Sequence, residues 1–394
     1  MRNKSIVLFD NLSGGHHETY VSIYAKNLLE LGNKVLIFYP RDDIFLSLKK
    51  QYGDQIKIVK TNIDFDAPVF KNKYLVIVSN ILSTILIWIK INSTIKKGIK
   101  ELQEDRVDLV FFLWLDSFLN EFLRCWMVNL FFKFKWAGLY FHPRDMRIDR
   151  RLLIFQKPNN ILKSKFCKFI AILDEGVVDK LSSCINKKVY VFPDVTDETI
   201  EQNNQLKNDI LDKAKGRKII GMFGGLSKYK GLLSLIETIK KADSKKYFFI
   251  IAGKIIMHDF NEKEAKVIDN FLGNKPSNCL FIFERIASER SFNMLVDSCD
   301  ILLAVYENFP HSSNILTKAA LFNKFVITSN RYLMAERVKK FQLGICIEQE
   351  NPTKLLGAIK ALLQESKTLQ PRFEIYFSEH SQRKLLKILS EIEV

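Results

Sequence analysis

Residues 304–329 read AVYENFPHSSNILTKAALFNKFVITS. With the DILL that precedes them, they pass from a continuous apolar run through a polar break into a helical segment, and then into a second apolar run, KFVITS. Ile315, Leu316, Ala319 and Ala320 recur at helical spacing and give that helix a buried face, while Ser312, Ser313 and Asn314 are favoured residues at a helix start. Two apolar strands joined through a helix are a parallel crossover, because a parallel pair cannot be closed by a hairpin. No carboxylate follows Glu307 in the stretch. Hydroxyls and free backbone amides at the helix start therefore read as a place for an anion, although capping alone accounts for one of the two serines.

The same alternation runs outward in both directions. Towards the C-terminus come LGICIE (343–348) and a last helix near 381–392. Towards the N-terminus come CLFIFERI, YFFIIAG (247–253) and IIGMFGGL. Ahead of a charged stretch around 196–218 lies an earlier series: IVLF (6–9), KVLIFY, DLVFFLWLD (108–116), WAGLYFH (136–142), KFIAIL (168–173) and KVYVFPD (188–194). Continuous apolar strands are expected where helices cover both faces of a parallel sheet. The expected fold is α/β, with two tandem, doubly wound, Rossmann-like domains. The first spans residues 1–203 and the second 204–376, with the boundary near Asn204. A C-terminal helix at 377–394 is expected to pack back on the first domain. A length of 394 residues suits two cores.

A formal charge of +16 divides evenly between the two halves of the chain. Locally it is uneven. Residues 69–100 carry six lysines and residues 150–168 carry six basic residues, both without an acid and both interleaved with bulky apolar side chains. That mixture suits an anionic bilayer surface better than duplex nucleic acid, and an ordinary lysine-rich solvated surface equally well. No recognition helix or RNA motif accompanies the charge, so no nucleic-acid partner is expected. Six scattered cysteines without a Cys-x-x-Cys pair point to a reducing cytosol and away from structural zinc. The run 74–89 is shorter than a membrane span of about twenty residues. It carries Ser79, Asn80, Ser83 and Thr84 at helical spacing, which predicts an amphipathic or buried helix.

Open parallel sheets bind ligands beyond the carboxyl ends of their strands. After the first strand, Gly14, Gly15 and His17 sit in DNLSGGHHETY, a loop without the G-x-G-x-x-G spacing of dinucleotide folds. Asp116 and His142 each follow a strand, a carboxylate placed to act as base and an imidazole placed to donate to a phosphate or sugar hydroxyl. In FGGLSKYKGLLSLI, Gly224 and Gly225 turn the chain and Lys228 and Lys230 precede a helix. Lysine aimed with a helix start makes a phosphate site, here without the Walker order. Asp64 and Asp66 form a D-x-D pair of the kind that holds a metal diphosphate, but such a pair belongs in a single nucleotide domain rather than a tandem one.

Taken together, FGGLSKYKG, IIAG and the succession AVYENF, NILTKAALFNKFVITSN and AERVKKFQLGICI resemble the GT-B glycosyltransferases, in particular family 4 (group 1). The resemblance implies two domains facing a central cleft and transfer of a sugar from a nucleotide diphosphate sugar, with retention at the anomeric carbon. The implied acceptor is a hydroxyl of a glycan or lipid-linked molecule in cell-surface polysaccharide or glycolipid synthesis, with no cofactor and no metal. Donor binding would fall to Gly224, Gly225, Lys230, Gly253, Ser312, Ser313, Asn314 and Lys318, and acceptor binding to Gly14, Gly15 and His17. His142 matches a histidine set against the donor sugar, Glu336 a glutamate before the late Gly344, and Pro193 with Asp194 the turn into the linker. Glu307 resembles a sugar-contacting glutamate. Departures accompany the matches: Gly225 replaces an expected arginine, and Lys318 stands where a ribose-binding glutamate belongs. The rivals are a nucleotide-sugar epimerase of the same fold and a non-catalytic binding subunit. The expected location is cytoplasmic, peripheral on the inner face of the membrane.

Overall fold

The computed structural model describes residues 1–61, 63, 73–152, 155–200, 205–274, 276–284, 286, 288–365 and 369–394. Asp64, Asp66 and Asn204 lie outside the described residues. The chain divides into two compact units, Met1–Pro193 with Ser381–Val394, and Asp194–His380.

The first unit alternates β1 (Ser5–Phe9), α1 (His16–Glu30), β2 (Lys34–Tyr39), α2 (Leu46–Tyr52), β3 (Ile56–Lys60), α3 (Lys73–Glu101), β4 (Leu109–Phe112), α4 (Cys125–Phe131), β5 (Trp136–Tyr140), β6 (Cys167–Ile172), α5 (Val178–Ile185) and β7 (Lys188–Val191). All neighbouring pairs are parallel, in the order β3-β2-β1-β4-β5-β6-β7. The sequence order reverses between β1 and β4, and the loops after those strands therefore diverge and leave a crevice at their carboxyl ends. β3 escapes an apolar-run search because Lys57 and Lys60 interrupt it; lysine on an edge strand discourages pairing with other chains.

Helix α3 departs from expectation. It continues well past residue 89, and Val78–Glu101 is by length and composition alone long enough to cross a membrane. Its inner side is a core element: Trp88, Ile91 and Ile95 are fully buried, and the Trp88 indole donates to the Phe118 carbonyl at 3.1 Å. Of the polar residues at helical spacing, Ser79 and Thr84 are buried and Asn80 is exposed, whereas Val78, Leu82 and Leu86 are more than half exposed. For Thr84 burial is tolerated because its hydroxyl donates to the Asn80 carbonyl and accepts from the Asn120 amide, whereas the Ser79 hydroxyl is buried without a hydrogen-bond partner.

The second unit contains α6 (Gln205–Ala214), β8 (Lys218–Phe223), α7 (Leu232–Lys241), β9 (Tyr247–Ala252), α8 (Glu262–Gly273), β10 (Cys279–Ile282), α9 (Glu289–Asp297), β11 (Ile301–Ala304), α10 (Ile315–Leu321), β12 (Phe325–Ser329), α11 (Tyr332–Phe341), β13 (Gly344–Ile347), α12 (Pro352–Glu365) and α13 (Phe373–Glu379). Its sheet is also parallel, ordered β10-β9-β8-β11-β12-β13, with the reversal between β8 and β11. Separate apolar clusters cover the two faces, one including Phe248, Leu302 and Leu316, the other Phe249, Ile251 and Leu303. This is the arrangement that continuous apolar strands require.

The boundaries expected at 203/204 and 376/377 move to 193/194 and 380/381. Asp194 is buried in the second unit, where its backbone amide donates to His380 Nδ1 at 3.0 Å. Helix α14 (Gln382–Glu391) belongs to the first unit, where it lies against α1 and its Leu389 carbonyl accepts from the Met1 amino group at 2.6 Å.

Replacing Trp88 by Ala removes one of the two fully buried tryptophans among the described residues of the first unit and leaves a cavity under α3. The expected loss is about 3–5 kcal/mol in denaturant titration, against about 0.5 kcal/mol or less for Leu82→Gln on the exposed side.

Candidate active site

In the first unit the crevice is built by the loops after β1, β4 and β5. Asp10, directly after β1, is 1% exposed; its carboxylate accepts from the Leu12 amide and lies 2.7 Å from His17 Nδ1. A carboxylate can only accept, so it holds the proton on Nδ1 and leaves Nε2 as the other face of the ring. The His17 ring lies 4.3 Å from that of Trp114, which stacks on Phe141 at 3.8 Å. Gly14 and Gly15 both have positive φ, which lets the chain turn from β1 into α1. His142 is partly exposed beside this aromatic floor. Gly14, Gly15, His17 and His142 thus belong to one crevice. Asp116, the candidate base, is tied to the backbone, with Oδ1 3.5 Å from His142 Nδ1. It lies in a 3-10 turn after β4, and both its oxygens accept backbone amides, from Phe141 at 2.8 Å and His142 at 2.9 Å. Its role is to hold the loop that presents His142. Asp10 and Trp114 were not singled out in the sequence, though an aspartate immediately after an IVLF strand was the available signal.

In the second unit the corresponding crevice gathers Gly224, Lys230, Gly253, Tyr306 and Ser313. Lys230 Nζ donates to the Tyr306 hydroxyl at 2.7 Å and lies 4.4 Å from its ring centre; that hydroxyl is 3.1 Å from Ser313 Oγ. The Lys230 ammonium hangs over Gly224, only 3.3 Å from where a Cβ would stand. Gly253, at φ 131°, comes so close to the Gly224 carbonyl that a Cβ would sit 1.9 Å from it. Glycine at both positions is therefore a packing requirement that brings two loops together under the lysine. Gly225 is exposed beside them. Tyr229 and Phe309 stack at 5.4 Å and brace the two loops that carry Lys230 and Ser313. In the sequence Tyr306 merely ends the apolar run of the strand; its hydroxyl, beyond the sheet edge, joins Lys230 to Ser313.

The rest of the Ser-Ser-Asn turn is used differently from expectation. Ser312 Oγ donates to the Asp194 carboxylate at 2.5 Å, Asn314 Nδ2 donates to it at 3.2 Å and to the Val195 carbonyl at 2.8 Å, and Thr317 donates to the Asp194 carbonyl at 2.9 Å. The buried Arg337 donates to Ser312 Oγ at 2.7 Å. The anion at this turn is the chain's own aspartate, so Ser312 and Asn314 are withdrawn from a ligand-binding role. Lys318 is withdrawn as well. It is 1% exposed, and its Nζ donates to Glu289 at 2.8 Å and to Asn293 at 2.5 Å. Burial pushes its ammonium below the ordinary lysine range, with Glu289 pulling the other way.

Glu307 is half-buried, apart from the Lys230 cluster. Burial first, and then the Glu350 charge, raise its carboxyl from 4.5 to about 7, with Lys228 opposing. Lys228 is itself bonded to Glu264 at 2.6 Å. Glu336 is exposed on α11, and Gly344 opens β13 against the Val326 backbone.

Residues 203–375 match the model of the glycosyl transferases group 1 family. The chain carries a group 1 glycosyltransferase domain. Through that domain it is a glycosyltransferase, with the GT-B fold, that uses a nucleotide sugar. Solved structures agree on the fold over nearly the whole chain. A glycosyltransferase from Rickettsia africae is 16% identical, with 99% of this chain and 97% of that one covered and a TM-score of 0.63. HepE from Anabaena, in complex with UDP and glucose, is 13% identical, with 98% of each chain covered and a TM-score of 0.64. Sucrose-phosphate synthase from Thermosynechococcus elongatus is 11% identical, with 98% of each covered and a TM-score of 0.68. None of the curated proteins matches the sequence.

Two pH effects follow from this glycosyltransferase's buried groups. A carboxyl raised to about 7 binds more protons folded than unfolded, so Glu307 lowers stability as pH rises from 4.5 to about 7. Glu307→Gln should flatten that part of the melting-temperature profile. His380 is held well below 6.5 by burial and by Arg337, so its contribution is lost as pH falls below 6.5. His380→Asn, which keeps an acceptor for the Asp194 amide, should reduce the acid-side decline in thermal melts.

Proposed function

We propose that the enzyme transfers a sugar from a nucleotide diphosphate sugar to a hydroxyl of a glycan or lipid-linked acceptor, with retention and without a metal, in cell-surface polysaccharide or glycolipid synthesis. The observation that carries the donor reading is the Lys230 ammonium, seated over Gly224 at the β8 switch point with Tyr306 and Ser313 beside it. As the bond from the anomeric carbon to the diphosphate oxygen breaks and the bond to the acceptor oxygen forms, negative charge grows on the leaving diphosphate. A fixed cation and hydroxyl donors aimed there stabilise that charge without solvent reorganisation. HepE, whose structure holds UDP, supports a uridine nucleotide as the first donor to try. In the first unit, His142 orients the sugar, and His17 over the Trp114 floor receives the acceptor, whose ring C–H groups suit an aromatic face.

The test is a thermal-shift series with UDP, GDP, dTDP, CMP and their sugar conjugates, on wild type and Lys230→Ala. A nucleotide at a hundredfold excess over its dissociation constant adds about 2.7 kcal/mol to the folded state. One nucleotide diphosphate should shift the wild type, and its shift should largely vanish in the variant. A folded wild type that no nucleotide shifts, or a variant shifted equally, overturns the assignment of Lys230.

A further inference from the structure

The outer face of α3 runs from apolar to cationic along one line. Val78, Leu82 and Leu86, one turn apart, are 52–55% exposed, and Lys90, Lys96, Lys97 and Lys100 continue the exposed positions to the helix end. The neighbouring α4 adds Trp126 at 56% and Leu130 at 60% exposed, four residues apart on one face, with exposed Lys133 and Lys135 just beyond it. No acid falls in α3 before Glu101, which pairs with Lys97 at 3.7 Å. Meanwhile Ser79 and Thr84 are turned inward. A helix that buries Ser79 and Thr84 while it exposes Val78, Leu82 and Leu86 carries over these turns the reverse of the pattern that water selects.

We propose that this α3–α4 face docks on an anionic lipid surface, with Leu82, Leu86, Trp126 and Leu130 in the interfacial layer and the lysines on lipid phosphates. The charge decides the occupant, since a protein partner or a second copy of the chain would have to match a strip of lysines with acidic side chains of its own, whereas anionic headgroups supply that charge directly. Because Trp88, Ile91 and Ile95 on the inner side are core residues, the helix lies on the membrane rather than across it. This rests on the surface alone and stands whether or not the Lys230 assignment holds.

The test is flotation of the full chain with phosphatidylcholine vesicles, with and without phosphatidylglycerol, at low and high salt. The wild type should float with the anionic vesicles at low salt and be released by high salt. Lys90→Gln, Lys96→Gln and Lys97→Gln together should weaken partitioning by about a hundredfold. Leu82→Gln with Trp126→Ser should weaken it by about tenfold or more, with melting temperature unchanged, since these side chains are already exposed. Equal binding to neutral vesicles, absence of binding to either, or variants that bind like wild type overturns the proposal. So does a concentration-dependent dimer that Leu82→Gln disperses in the absence of lipid, or resistance of the membrane-bound chain to alkaline carbonate, which marks a spanning helix.

Discussion

The second unit is closed by one buried carboxylate. Asp194 is its first residue and His380 its last, and the two are hydrogen-bonded to each other. Around the Asp194 side chain converge Ser312 and Asn314 from the loop before α10, with Arg337 from α11 behind Ser312. A buried carboxylate without such donors would be costly, and the donors without it would be orphaned; together they tie the point where the chain enters the unit to the loop after β11. That loop also carries Ser313. The position of the Ser313 hydroxyl beside Tyr306 is thus set by a neighbour bound to the protein's own aspartate.

The same economy recurs at Lys318. Where the family resemblance implies a carboxylate, the chain has a lysine, and the packing answers with Glu289 and Asn293 from α9. The reversal of charge is absorbed within the protein by these two partners. In the first unit a comparable division of labour holds. Asp116 gives both oxygens to backbone amides and shapes the loop, while Asp10 spends one on His17 and sets the tautomer of a ring that rests on Trp114.

Helix α3 shows how one element serves two environments. Its inner side contributes Trp88 to a dense aromatic cluster with Phe112, Phe132 and Trp136, all within 6 Å. Its outer side carries leucines that this packing does not need. The core places the helix, and the sequence on the far side is then free to meet another phase.

The alternation of apolar runs and helical segments was enough to determine two parallel α/β units, most of their strands and the loops at the carboxyl ends of those strands, because hydrophobic periodicity and strand length are local properties. The FGGLSKYKG turn likewise announced Lys230 and its glycines, since a tight turn, a lysine and a helix start are adjacent in the chain. What only the tertiary structure decided was which polar side chains of the Ser-Ser-Asn turn remain for a ligand, how the buried lysine is neutralised, where the second unit begins and ends, and which face of α3 meets solvent. Each of these depends on a partner far away in the chain, Asp194 for Ser312, Glu289 for Lys318, His380 for Asp194, Asn120 for Thr84. A residue's own type states what it can bond to, but folding decides which partner reaches it first.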